Sequence, residues 1–202
     1  MANYHLVTFD PGAAATGWAH LVVDERAFTR PANKVLRNLK DWNCGEFTGP
    51  EVAQLDEARR LIWRARGFEQ FEHNRCDVVS EDFELTQLIG GKNLLSPVRI
   101  NAVIDWLCQT QFGLKLELQR RTMRTSVTPE RLRAFGFERK WTKTGRGKDE
   151  FAAMQHAIVW LRRLKERSRS HPWKMTIDGT RNARWDCSCQ RGWKTCDLDH
   201  PT

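Results

Sequence analysis

A chain of 202 residues with 40% hydrophobic and 29% charged side chains has the make-up of one globular domain with a small addition. No run approaches the ~20 apolar residues of a membrane span, and Met1–Asp10 holds no basic stretch followed by an apolar one. A membrane or secreted protein is therefore not expected, and a cytoplasmic one is. The net charge of +8 is uneven: residues 1–119 carry 13 Lys/Arg against 16 Asp/Glu, and residues 120–202 carry 20 against 9. A basic half of this kind is the footprint of a polyanion partner.

In chain order, His5 to Asp10 is an apolar strand ending on a carboxylate, Pro11-Gly12 turns the chain, and Thr16 to Val23 reads as a second strand. A third follows at roughly Trp42 to Phe47, completing an antiparallel meander. Helical spacing of apolar residues runs from Glu51 to about Asn74, weakened at Gly67. Cys76 to Glu81 is a further apolar strand ending on a carboxylate. A helix is predicted over Ser96–Thr110, with Val98, Ala102, Val103, Trp106 and Leu107 inward, then a strand over Leu114–Leu118. Thr128-Pro129 opens a short helix, with Pro at its first position. Lys148 to about Lys165 forms the last helix of the core. Strands alternating with helices in this order predict an α/β sheet with helices packed on it.

Three carboxylates stand where elements begin or end: Asp10, Glu81 and Asp149. Side chains at such points are held firmly and face the sheet rim, where a ligand can reach them. Hard divalent cations such as Mg²⁺ take oxygen ligands, and two of them can clamp the attacking and leaving oxygens of a phosphodiester. Each residue alone also has a plain structural use. Asp before Pro-Gly is a common turn residue, Glu81 belongs to the acidic run Glu81-Asp82-Phe83-Glu84, and Asp149 complements a helix dipole.

Asp10-Pro11-Gly12 with Thr16-Gly17-Trp18-Ala19, Val78-Val79-Ser80-Glu81, and Ser96-Pro97-Val98-Arg99 occur here in an order that resembles a known family. So do Thr128-Pro129 with Leu132, Gly136 and Trp141, then Gly145-Arg146-Gly147-Lys148-Asp149, Ala152, Ala153, His156 and Ala157. Over about residues 5–165 the chain resembles RuvC-type Holliday junction resolvases of the ribonuclease H-like superfamily, in their phage-type form. The resemblance implies a mixed sheet, three antiparallel strands then parallel ones, flanked by helices. It implies a structure-selective endonuclease for branched DNA that uses two Mg²⁺ or Mn²⁺ ions and acts as a homodimer. Its ligands would be Asp10, Glu81 and Asp149, with Glu150 as the alternative to Asp149 and His156 as a contact to the scissile phosphate or water. The chain departs from the pattern one turn after Asp149, where Ala152 replaces a second polar ligand. His156 lies about 10 Å further along the helix axis, too far to share an ion with Asp149 on a regular helix.

Between Arg120 and Lys148 there are ten Lys/Arg against two Glu, interleaved with Phe135, Phe137 and Trp141. Arg120, Arg121, Arg124, Arg139, Lys140, Lys143, Arg146 and Lys148 are candidate phosphate contacts, and the aromatic rings are candidates for stacking on unpaired bases. Residues 1–167 form the expected nuclease domain and 172–202 a Cys/Trp-rich β appendage. In the appendage, Cys187, Cys189, Cys196 and His200 offer three thiolates and an imidazole for zinc. Without zinc, a hairpin of Met175–Ile177 and Arg184–Cys187 would rest on the core through Trp173, Trp185 and Trp193. Cys44, Cys76 and Cys108 read as reduced, buried thiols. Three other readings stay open: another ribonuclease H-like nuclease, an inactive branched-DNA-binding module, and an ATP-dependent phosphotransferase. The last needs two such lobes, and the chain has length for one.

Overall fold

The near-continuous apolar run His5-Leu6-Val7-Thr8-Phe9 can be satisfied only by a strand covered on both faces. In the computed structural model it is β1 (Asn3–Asp10), with every residue from Tyr4 to Asp10 buried. The structure describes residues 3–24, 39–67, 75–83, 95–141 and 147–170, and two short strands at 174–176 and 184–186. β2 (Ala15–Asp24) and β3 (Leu39–Thr48) continue the meander, and β4 (Arg75–Asp82) and β5 (Leu116–Arg120) complete a five-stranded sheet of order β3-β2-β1-β4-β5. β1–β2 and β2–β3 pair antiparallel, while β1–β4 and β4–β5 pair parallel. This is the mixed sheet, three antiparallel strands then parallel ones, expected of a ribonuclease H-like fold.

Helices cover both faces. α1 (Glu51–Arg66) and α2 (Ser96–Leu107) pack through Ala58, Ile62, Ile100 and Ile104 onto Val7, Phe9 and Val78. α4 (Lys148–Ser170) meets the alternate positions of β1. Thr8 Oγ1 donates to the carbonyl of Ala153 at 2.8 Å, and Trp160 Nε1 donates to the Tyr4 hydroxyl at 3.0 Å. Tyr4 in turn donates to Asp77 at 2.7 Å, so the far end of β1 is pinned by a buried polar chain. The hairpin end is tied to α1 by Thr16 Oγ1, which donates to Gln54 at 2.6 Å.

Several expectations shift. α1 stops at Gly67, whose left-handed φ of 78° lets its N–H cap the carbonyls of Trp63 and Arg64; residues 68–74 lie outside the described ones. On α2 the inward face is Ile100, Asn101, Ile104 and Leu107, while Val98, Ala102 and Trp106 face outward, Trp106 at 57% exposure. The sequence there is apolar around most of its circumference, so periodicity set Leu107 and partly buried Val103 inward but misplaced Val98, Ala102 and Trp106. A π-helical turn, Cys108–Phe112, delays β5 by two residues. Phe137 and Trp141, expected to stack on bases, are buried against Phe151 and the half-buried Trp42; Trp42 and Phe137 meet edge to face at 5.1 Å. Thr128 caps the short helix α3 (Pro129–Ala134) by accepting from the backbone N–H of Arg131.

The chain falls into two compact units, Met1–Leu161 and Arg162–Thr202. In the second, β6 (Lys174–Thr176) pairs antiparallel with β7 (Arg184–Asp186), the hairpin read from the sequence. Cys187, Cys189, Cys196, His200, Trp173 and Trp193 lie outside the described residues. Cys44, Cys76 and Cys108 are free and buried. Among the described residues, no helix is long and apolar enough to cross a membrane.

Candidate active site at the ends of β1 and β4

The parallel register of β1 and β4 sets Phe9 beside Ser80, so the next residues, Asp10 and Glu81, end up side by side on the face under α4. Both are only 8% exposed. Two carboxylates so placed cannot both carry charge without a cation or a shared proton. Burial, and then the charge of Glu81, push Asp10 well above the usual carboxylate range. Burial also pushes Glu81 upward, but a hydrogen bond from His156 and the charge of Arg124 outweigh it and hold Glu81 below its ordinary value.

Glu81 is held from three directions. Its carbonyl accepts from Asn101 Nδ2 at 2.8 Å, and Ser80 Oγ donates to Asn101 Oδ1 at 2.6 Å. On the neighbouring strand Gln119 stands opposite it. From α4, His156 reaches down with Nε2 3.0 Å from Glu81 Oε2 and Nδ1 3.0 Å from Gln119 Oε1. His156 is fully buried, and burial lowers its pKa against the pull of Glu81. Both partners are oxygens, so a neutral imidazole donates through one ring nitrogen only, and through Nε2 when it serves Glu81. With both ring nitrogens engaged inside the protein, His156 orients Glu81 instead of reaching a phosphate or water.

Asp149 is brought in by backbone contact. A Cβ on Gly17 would stand 1.9 Å from the Asp149 carbonyl oxygen, and one on Gly12 would stand 4.0 Å from its carboxylate. Gly17 lies opposite Asp10 in the β1–β2 ladder, so the first turn of α4 seats directly beside Asp10. Glu46, opposite Gly17 on β3, accepts the Asp149 backbone N–H at 3.2 Å and caps the helix. Burial raises the pKa of Asp149, with Lys148 opposing and Glu46 adding to the rise.

Two adjoining clefts open at this point and share Asp10, Arg121, Arg124, Lys148 and Asp149; the second adds Glu81. Ala152 lines the first. Glu150 turns away from both, 3.0 Å from Arg139, which also donates to the Cys44 carbonyl. The alternative ligand is thus an ion-pair partner, and Arg139 is committed to it. Arg120, Arg121 and Lys140 are exposed, and Lys143 and Arg146 lie outside the described residues. Arg124, read from the sequence as a phosphate contact, stands instead on the carboxylates, its Nη1 3.3 Å from Asp10 Oδ2 and 2.8 Å from Glu81 Oε2.

No protein-family model matches the chain, and no curated protein matches it. Solved structures do. RuvC of Thermus thermophilus is 12% identical, with 79% of this chain and 96% of that one covered and a TM-score of 0.45. The same protein in complex with a Holliday junction substrate is 10% identical over 80% and 97%, TM-score 0.46. A Ppx/GppA family member of Aquifex aeolicus is 11% identical over 72% and 48%, TM-score 0.34. At such identities and scores, these likenesses carry no function over to this chain.

Asp10, Glu81 and Asp149 offer the oxygens that a hard divalent cation takes, and a buried carboxylate pair is eased by a cation or a shared proton. Among the described residues, no three His, Cys, Asp or Glu side chains are gathered closely enough to hold one ion. Arg124 stands on two of the oxygens such an ion would use. Sequence reasoning did not find Gln119 or Glu46, which act through strand register that no local motif marks. Gly17 carried a signal, the Thr16-Gly17 pair after the turn, without revealing what it accommodates.

Proposed function

We propose that the chain is a divalent-metal-dependent endonuclease that hydrolyses phosphodiester bonds in branched DNA, Holliday junctions being the leading substrate. The observation that supports this reading is the shared rim of Asp10, Glu81 and Asp149 on clefts whose other charged walls are Arg121, Arg124 and Lys148. Carboxylates from three distant segments line adjoining clefts with basic side chains, as a site that acts on a phosphate requires. Asp10, Glu81 and Asp149 would hold Mg²⁺ or Mn²⁺, two ions per site. Bound there, the metal would supply Lewis acidity and make a bound water more acidic.

The residues of the chain do the rest. Arg121 and Lys148 bind backbone phosphates at the rim and fix their register. His156 and Gln119 orient Glu81, and the Gly17 contact and Glu46 cap orient Asp149. Two symmetric nicks in a junction would need two such sites, so the working form is taken as a homodimer.

A second reading, a branched-DNA-binding module without cleavage, draws on Ala152 in the cleft and on Arg124 over the carboxylates. One experiment separates the two. Junction, fork, flap, duplex and RNA–DNA hybrid substrates are incubated with protein and Mg²⁺ or Mn²⁺. Metal-dependent nicking of branched DNA that vanishes in Asp10→Asn, with junction binding retained, is expected. Tight binding without nicking in either metal would favour the second reading.

A further inference from the structure

Arg124 belongs to the 3₁₀ turn Arg121–Ser126, of which no residue is buried. Its side chain nevertheless reaches inward until only 14% of it is exposed, between carboxylates that are 11% and 10% exposed. The contact is close but poorly aimed. Nη1 lies within ion-pair distance of both carboxylates, yet makes no directed hydrogen bond to any acceptor. A bidentate guanidinium–carboxylate fork is the strong, oriented form of this pair, and it is not formed here. Charge therefore holds Arg124 in place, and geometry does not lock it there.

We propose that Arg124 is a resident counter-cation, competing with the divalent ion for Asp10 and Glu81 and drawn off them by a DNA phosphate. Metal loading is thereby coupled to substrate binding. This rests on the metal-nuclease reading above. Three features converge on it. The guanidinium contacts oxygens from both carboxylates, so guanidinium and ion exclude each other there. The turn that carries it has no buried residue, so the side chain can swing out without opening the core. It lines both clefts together with Arg121 and Lys148, so a phosphate entering either one meets it. The guanidinium offsets one of the two carboxylate charges, and a divalent ion would offset both. In the free protein two carboxylates face one guanidinium; in the complex the carboxylates face the ion and the guanidinium faces the phosphate. By reciprocity, whatever DNA does to metal affinity, metal does to DNA affinity.

The test is a titration of metal-free, full-length protein with Mn²⁺ at mildly alkaline pH, the free ion followed by electron paramagnetic resonance. Without DNA, Arg124→Gln is expected to bind Mn²⁺ about tenfold more tightly than wild type, a difference readily resolved. Arg124→Lys, whose shorter amine spans the two carboxylates less well, should fall between them and stands in if the Gln variant fails to fold. In parallel, junction affinity is measured by fluorescence anisotropy in EDTA and in Ca²⁺, and the gain from Ca²⁺ should be larger in wild type than in Arg124→Gln. Unchanged or weaker Mn²⁺ binding in both variants, or equal gains, overturns the proposal. Adding Asp10→Asn to Arg124→Gln separates the two levels. If Mn²⁺ binding is indifferent to Asp10, the metal-site reading fails and this proposal with it. If binding requires Asp10 but Arg124→Gln is no tighter, the coupling alone fails.

Discussion

The α-carbon of Gly17 lies so close to Asp149 that a Cβ would meet the Asp149 carbonyl oxygen at 1.9 Å and its carbonyl carbon at 2.0 Å. Both are backbone atoms of the first helical turn, so no rotamer change relieves the clash. Gly17→Ala must push α4 outward or bend β2. The expected cost is about 1–3 kcal/mol, as for overpacking of a tight core. Cleavage should fall far more than junction binding, because Asp149 is displaced while Arg121, which lies off that helix, still reaches phosphate. Thermal melts, nicking and anisotropy on the same variant check this; nicking at the wild-type rate would show that the contact does not position Asp149.

Asp10→Asn should stabilise the metal-free protein while removing activity. In the unfolded chain Asp10 loses its proton near its ordinary value of 3.8, and in the fold only at higher pH. Between those two values the native state binds more protons than the unfolded one, so stability falls as pH rises through the window. Above it, ionised Asp10 works against folding, and the neutral amide relieves that. The expected result is a higher melting temperature than wild type at neutral pH in EDTA, the gain shrinking toward the ordinary carboxylate range. A lower melting temperature at neutral pH would contradict it.

His156 titrates in the opposite sense. It binds a proton near 6.5 when unfolded and only at lower pH when folded. There the unfolded chain holds the extra proton, and stability falls as pH drops below 6.5. His156→Gln should flatten that acid limb. His156→Ala should cost about 2–4 kcal/mol, from a core cavity and a Glu81 carboxylate left without its donor. Melting temperature followed against pH for the three proteins is the measurement, and identical acid limbs would remove His156 from this role.

Among the basic residues, position and not local charge density decides the effect. Arg121→Ala and Lys148→Ala should each weaken junction binding for all sequences alike and lower the salt slope by about one. Arg139→Ala should leave the slope unchanged, since that guanidinium is paired with Glu150 at 3.0 Å. It should instead lower the melting temperature, because buried Glu150 is left without its partner. Equal slopes for Arg121→Ala, Lys148→Ala and wild type would place the DNA elsewhere.

By itself, the sequence determined the order of elements, because an apolar run needs cover and a periodic one needs a partner face. The meander, the strand ending on Asp10, the cap at Thr128 and the hairpin in the second unit were legible as local chemistry. Asp10 and Glu81 stood out as carboxylates at strand ends, but nothing local said that they would touch. That follows from the parallel register of β1 and β4, fixed by packing on both faces of the sheet. The inward stripe of α2, the burial of Phe137 and Trp141, and the pairing of Glu150 with Arg139 were likewise settled by what lies across the fold. Arg124 is the sharpest case. In sequence it is one more cation in a basic segment; only the tertiary structure sets it 43 residues away from Glu81 in chain and 2.8 Å away in space. Electrostatic energy depends on distance and burial, and neither is a property of the chain before it folds.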